Sequence, residues 1–122
     1  DLRARSRLVF SLDHPFRGCF YDAESQELAG YPERSYFDTR PRTWCFANTG
    51  AVMHTLDRPV STWIDLLHET GFRVRRLVEP PVPTHLLDEL FPDDSALAAL
   101  RNIPHTLIVL AESTDTAQGL EG

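Results

Sequence analysis

The sequence predicts an α/β fold, and three observations predict it. Two short runs, Leu8–Leu12 and Leu107–Ala111, are almost wholly apolar and uncharged, the pattern of strands that lie inside a sheet covered by helices. Between them Trp63, Ile64, Leu66 and Leu67 gather on one side of a helix-period segment that stops at Gly71. Directly after that glycine comes a β-prone run, Phe72–Val78, that carries three arginines.

The first run ends at Asp13-His14-Pro15. Proline has no amide hydrogen and disfavours helical angles at the residue before it, so a strand is expected to stop here and open into a loop. Residues 16–58 have no sustained period. They interleave Phe16, Phe20, Tyr21, Tyr31, Tyr36, Phe37, Trp44 and Phe46 with five arginines. Connections in compact domains are usually about 4–6 residues, so a stretch this long is expected to act as a lid or to hold structure of its own. Within it, Thr43–Asn48 and Ala51–Thr55 can form a hairpin around Asn48-Thr49-Gly50.

After Pro59, Ser61 or Thr62 is expected to cap the amphipathic helix, and Gly71 to take the left-handed position that ends it. The three arginines of Phe72–Val78 are hard to bury, which places that strand at a sheet edge protected by charge. Pro80, Pro81 and Pro83 interrupt the chain, a short helix is expected over Thr84–Phe91, and Asp94 or Ser95 can cap another turn towards Leu100. Pro104 introduces the second uncharged run. The small, polar segment 113–122 is expected to be a disordered tail.

Length and composition bound the function. At 122 residues and 42% hydrophobic content the chain has the size and the apolar material of one domain. The net charge is −6, carried by twelve arginines and no lysine against eighteen acids, which disfavours a nucleic-acid partner. The absence of lysine fits a GC-rich coding bias. No apolar run approaches the roughly 20 residues that span a bilayer, so no membrane partner is expected. Cys19 and Cys45 form no CxxC or disulfide-rich pattern and read as two free thiols of a reducing cytoplasm. Five scattered histidines include no i, i+4 pair, so no metal site is expected.

The succession Arg7–Pro15, Val60–Pro80 and Ile103–Ala111 resembles the C-terminal half of a class I S-adenosylmethionine-dependent methyltransferase, with its Rossmann-like fold. Glu69-Thr-Gly71-Phe72-Arg-Val74 is similar to the helix-then-Gly-Phe-x-Val turn common in those enzymes. The strand-then-His14-Pro15 exit, His54, Arg58-Pro59-Val-Ser61 and Glu79-Pro80-Pro81 are similar to one bacterial and archaeal subgroup. The resemblance implies a mixed sheet in which Leu8–Leu12, Phe72–Val78 and Leu107–Ala111 are the fifth, sixth and seventh strands. The antiparallel last strand then lies between the other two. Residues 16–58 become an aromatic-rich insert in a partial methyltransferase domain spanning 1–122. The implied cofactor is S-adenosylmethionine, but no glycine-rich turn is present, so its main site is expected upstream of Asp1, in a missing N-terminal half. The lack of an initial Met and the early first strand fit such a fragment.

The resemblance also frames the candidate site residues. His14, at the carboxyl end of a buried strand where open α/β sheets place ligands, is a candidate catalytic base. Phe16, Tyr31, Tyr36 and Trp44 are candidates to wall a methyl acceptor, and His54 and Arg58 to line the same mouth. Arg40 and Arg42 can hold an acidic group. Each has a plainer alternative: a loop-fixing histidine, a small aromatic core, a solvated pair, surface charge balance. Glu79 is expected to cap or pair locally rather than to catalyse. The functional expectation is methyl transfer to a small-molecule acceptor, this chain supplying the acceptor side and pairing with the N-terminal half of the same enzyme. The alternative is a non-catalytic α/β binding module that self-associates through its open sheet edge.

Overall fold

The computed structural model describes residues 6–22, 24–25, 27–46 and 50–114, leaving out the side chains of Trp44 and Phe46. The hairpin turn expected at Asn48-Thr49 and residues 115–122 of the expected tail lie outside the described residues.

Strand β1 (Arg7–Asp13) runs into α1 (Pro15–Gly18), a single helical turn where the sequence suggested a loop. The same proline that ends the strand opens the turn, because its missing N–H is one that a first helical turn leaves unpaired anyway. Two small hairpins follow: β2 (Tyr21–Asp22) with β3 (Glu27–Leu28), and β4 (Arg42–Phe46) with β5 (Ala51–Thr55). The second is the hairpin expected around Asn48-Thr49-Gly50, and Gly50 takes a positive φ of 74°, which costs a glycine little.

Helix α2 (Val60–Glu69) starts two or three residues earlier than a cap at Ser61 or Thr62 would set it. Neither Ser61 nor Thr62 caps it; Pro59 holds the cap position without a side-chain hydrogen bond. The Tyr36 hydroxyl, 2.9 Å away, instead accepts from the Val60 N–H. Gly71, with φ 91°, ends the helix as expected and turns it directly into β6 (Phe72–Val78).

A seven-residue helix α3 (Thr84–Leu90) and a 3₁₀ turn (Ala98–Asn102) lead to β7 (Thr106–Ser113). The Ser95 hydroxyl accepts from the Leu97 N–H at 3.2 Å just before that turn. Strand β7 runs through Ser113, and the Thr114 N–H then donates to the Gly71 carbonyl at 2.8 Å. The described residues therefore include the first two of the segment expected as a tail.

The principal sheet has the order β1-β7-β6, with β7 antiparallel to both neighbours. Strands β1 and β6 are thus parallel to one another, and their carboxyl ends lie on the same side as the start of β7. The arginine-bearing strand is at an edge, with Arg73, Arg75 and Arg76 exposed and a register shift between Val74 and Arg76. Charge and irregularity of this kind both discourage further strand pairing.

Strand β1 departs from the expectation that both its faces are buried. Leu8, Phe10 and Leu12 turn inward opposite Ala111, Val109 and Leu107, whereas Val9 is 64% exposed. Within the described residues α2 covers one face only, contributing Leu67 and Val60 to the core that holds Leu107, Val109 and Ala111. A second core joins Cys19 and Phe20 to Phe91 and Leu100. It fastens the beginning of the 16–58 segment to the chain before β7, a long-range pairing with no local sequence signal.

Candidate functional site

The carboxyl ends of β1 and β6 converge on His14 and Glu79. His14 directly follows β1, its N–H donates to the His105 carbonyl at 3.1 Å, and the residue is only 4% exposed. It also caps α1, with Nδ1 accepting from the Phe16 N–H at 3.0 Å. A backbone N–H can only donate, so Nδ1 carries the lone pair and the ring proton sits on Nε2. Nε2 then donates to Glu79 Oε2 at 2.7 Å.

This geometry gives His14 a narrower part than the proton acceptor expected from the sequence, because both ring nitrogens are already engaged. It also corrects the expectation that Glu79 pairs locally. Its partner is 65 residues away in the chain, and the two residues bridge the strand ends across the start of β7. The Glu79 side chain stays 55% exposed, and Oε1 has no partner among the described residues.

Beside this pair, His14, Phe16, Tyr36 and Pro104 line an open, largely apolar cavity of about 370 Å³. Phe16 and Tyr36 meet edge-to-face at 6.1 Å, and Phe16 packs similarly on Phe20 at 5.6 Å, the arrangement favoured by ring quadrupoles. Tyr36 is held at its other end by the Val60 amide. The rings are therefore pinned between α1 and the start of α2.

The remaining expected contacts fall elsewhere. Tyr31 is 65% exposed and lines a different, polar cavity with Arg34 and Arg40. The neighbouring Glu33 carboxylate pushes its phenol pKa up. His54 lies exposed on β5 with Nδ1 3.3 Å from the Thr43 hydroxyl. Arg58 donates to the Thr39 carbonyl at 2.8 Å and so anchors the segment before α2. The Trp44 side chain lies outside the described residues.

The arginines offered for an acidic group are engaged within the chain. Arg40 pairs with Asp38, whose carboxyl is held well below the usual carboxylate range by hydrogen bonds from Arg40. Arg42 donates to both oxygens of Asp57, at 2.8 and 3.4 Å, and its guanidinium lies 4.5 Å from the centroid of the Tyr21 ring, within cation–π range.

The described glycines do not form a cofactor cradle. A Cβ on Gly30 would collide with the Ala96 carbonyl oxygen, and one on Gly18 would press on the Asp57 carboxylate, so the chain fills both spaces itself. Gly50 and Gly71 sit singly at chain reversals. These residues do not fit a principal S-adenosylmethionine site. Among the described residues no helix is long and apolar enough to cross a membrane.

No family model and no curated protein matches the sequence. The fold, however, has solved counterparts. One is a protein of Listeria monocytogenes assigned to the S-adenosylmethionine-dependent methyltransferases: TM-score 0.62 at 23% identity, covering 90% of this chain and 49% of that one. Another is an S-adenosylmethionine-dependent methyltransferase of Mesorhizobium loti: TM-score 0.55 at 25% identity, covering 88% of this chain and 48% of that one. The chain spans about half the length of the solved structures it matches. In fold, then, it resembles half of an S-adenosylmethionine-dependent methyltransferase, consistent with the C-terminal half.

Proposed function

We propose that the chain forms the acceptor side of a cytoplasmic enzyme that transfers a methyl group from S-adenosylmethionine to a small molecule. The observation that carries this reading is the sheet end itself. Two parallel strands flank an antiparallel β7, and their carboxyl ends meet at the His14–Glu79 pair beside an aromatic cavity, in a fold like that of the two solved structures above. The main cofactor site is assigned to a preceding half of the same enzyme.

S-adenosylmethionine, when bound by the preceding half, would supply an electrophilic methyl group to a nucleophilic atom of the acceptor held by this chain. Where the acceptor carries a proton, Glu79 receives it through its unpaired Oε1, directly or by way of water. His14 holds Glu79 in place. Phe16, Tyr36 and Pro104 pack the acceptor's apolar body and exclude water. Much of the acceleration comes from holding the reactants in line, which needs no obligatory catalytic side chain.

The test is methyl transfer from labelled S-adenosylmethionine by the full-length protein, run across small oxygen, nitrogen and carbon nucleophiles. The reading expects a methylated product, with kcat/KM for Tyr36→Ala lowered by about tenfold or more through lost positioning. A protein that binds the cofactor yet methylates none of these classes would sink it.

A second reading rests on a different observation. Val9 is 64% exposed on β1, whose only ladder partner among the described residues is β7. Open edges of this kind invite another strand, and the chain then serves as a self-associating module. Sedimentation equilibrium distinguishes the two: a dimer that Val9→Lys converts to monomer supports self-association, and a monomer at all concentrations rejects it.

A further inference from the structure

Arg17 and Gly18 of α1 line a second hollow of about 420 Å³ that shares no lining residue with the His14 cavity. Its size falls within the roughly 300–1,000 Å³ typical of small-molecule sites. Asp13, Arg17, Tyr21, Glu27, Leu28 and Arg42 line it. Asp13 closes β1, so this hollow also opens at the ligand-bearing end of the sheet.

Its charges are unusually unpaired. Arg42 is answered by Asp57 in a two-point contact and lies over Tyr21. Arg17, which is half-buried, and Asp13 and Glu27, which are exposed, have no hydrogen-bond or ion-pair partner for their side chains among the described residues. A polyanion in this hollow meets two opposing carboxylates, and a simple cation leaves the Arg17 guanidinium unanswered. A molecule with one charge of each sign satisfies all three, while its apolar part rests on Tyr21 and Leu28. A guanidinium is suited to a carboxylate because its donors form a planar fork.

We propose that this hollow binds a small zwitterionic aminocarboxylate, with Arg17 taking the carboxylate and Asp13 and Glu27 the ammonium. This site is separate from the His14 cavity assigned above to the methyl acceptor, and its ligand is an amino-acid-like molecule with an apolar side chain.

The experiment is calorimetric titration of the full-length protein with L-phenylalanine, L-phenylalaninamide, N-acetyl-L-phenylalanine and inorganic phosphate. Saturable binding is expected for the zwitterion. Loss of either charge, in the amide or the N-acetyl compound, weakens it by about tenfold, on the scale of one charge-assisted contact. Arg17→Gln is expected to abolish the preference for acid over amide, Arg17→Lys to restore it in part, and Asp13→Asn to abolish the preference for free amine over N-acetyl. On the unaltered protein, amide NMR shifts are expected to concentrate at residues 13–28. Shifts concentrated elsewhere, equal binding of acid and amide, tighter binding of phosphate, or no saturable binding of the zwitterion overturns the proposal. Binding that follows these rules in a protein that methylates nothing removes the methyl-transfer reading and leaves the site. Methyl transfer by a protein that shows no saturable binding of the zwitterion does the reverse.

Discussion

Nε2 of His14 lies 2.7 Å from Glu79 Oε2, joining the ends of two strands that never pair with each other. The contact spans the start of β7 and ties down the point where the chain leaves the sheet for α1. Because His14 also caps α1 through Nδ1, one imidazole fixes the exits of β1 and β6 and the entry to the helical turn.

Replacing His14 with Ala should therefore destabilise the protein by about 2 kcal/mol, combining a lost cap with a lost hydrogen bond. His14→Asn keeps a side-chain oxygen that can cap α1 and should recover about half of that. Glu79→Gln should cost no more than about 1 kcal/mol, because the carboxylate is 55% exposed and solvent screens it. Urea midpoints of the three variants check the order, and equal losses for His14→Ala and Glu79→Gln would contradict the dual role of the imidazole.

The Arg42–Asp57 pair is largely shielded, with side chains 11% and 14% exposed. Removing either partner leaves a half-desolvated charge, so Arg42→Met or Asp57→Asn alone should cost about 2 kcal/mol. The double variant should be much less destabilised than the sum of the two. A double-mutant cycle measures this directly, and additive losses would show the pair to be inert.

Gly30 sits where any side chain meets backbone. Its Cβ would collide with the Ala96 carbonyl oxygen, so Gly30→Ala must push apart the 28–36 segment and the chain before the 3₁₀ turn. Overpacking of this kind costs about 1–3 kcal/mol or more. Thermal unfolding of the alanine variant should show a clear loss. Gly50→Ala, where nothing lies within 4 Å, should lose only the smaller strain of its positive φ.

The two thiols should differ in reactivity. Cys19 is buried, and burial, aided by the nearby Asp57 carboxylate, raises its pKa above the ordinary 9.0. Cys45 is exposed. At neutral pH iodoacetamide should modify Cys45 and spare Cys19 until the protein unfolds, and peptide mass mapping reads the ratio. The same shift sets a sign for stability. The unfolded thiol ionises first, so Cys19's contribution is full below pH 9.0 and is lost as pH rises through its folded value.

Asp38 gives the opposite sign. Its depressed pKa means that the unfolded chain binds a proton before the folded one does, so its contribution is present above pH 3.8 and falls as pH drops towards the folded value. Asp38→Asn should flatten the acid limb of a stability–pH curve without shifting the alkaline limb. An unchanged acid limb would contradict the assignment.

The sequence by itself determined the secondary elements of the sheet and the edge position of the arginine-bearing strand, but not the exposed outer face of β1. Two uncharged runs and one arginine-bearing run, with Gly71 between helix and strand, are local signals of period, charge and backbone freedom, and they gave β6 its edge position correctly. The hairpin over residues 42–55 was legible for the same reason. What the tertiary structure alone decided is which distant side chains meet. His14 finds Glu79, Arg42 finds Asp57, the Tyr36 hydroxyl replaces the expected cap of α2, and Phe20 packs with Phe91 and Leu100. Of the aromatic side chains expected around His14 and described in the structure, Phe16 and Tyr36 reach its cavity and Tyr31 lines another. Periodicity reports how a segment faces its own neighbours, whereas these pairs depend on how separate segments are brought together, and that is set by packing across the whole chain.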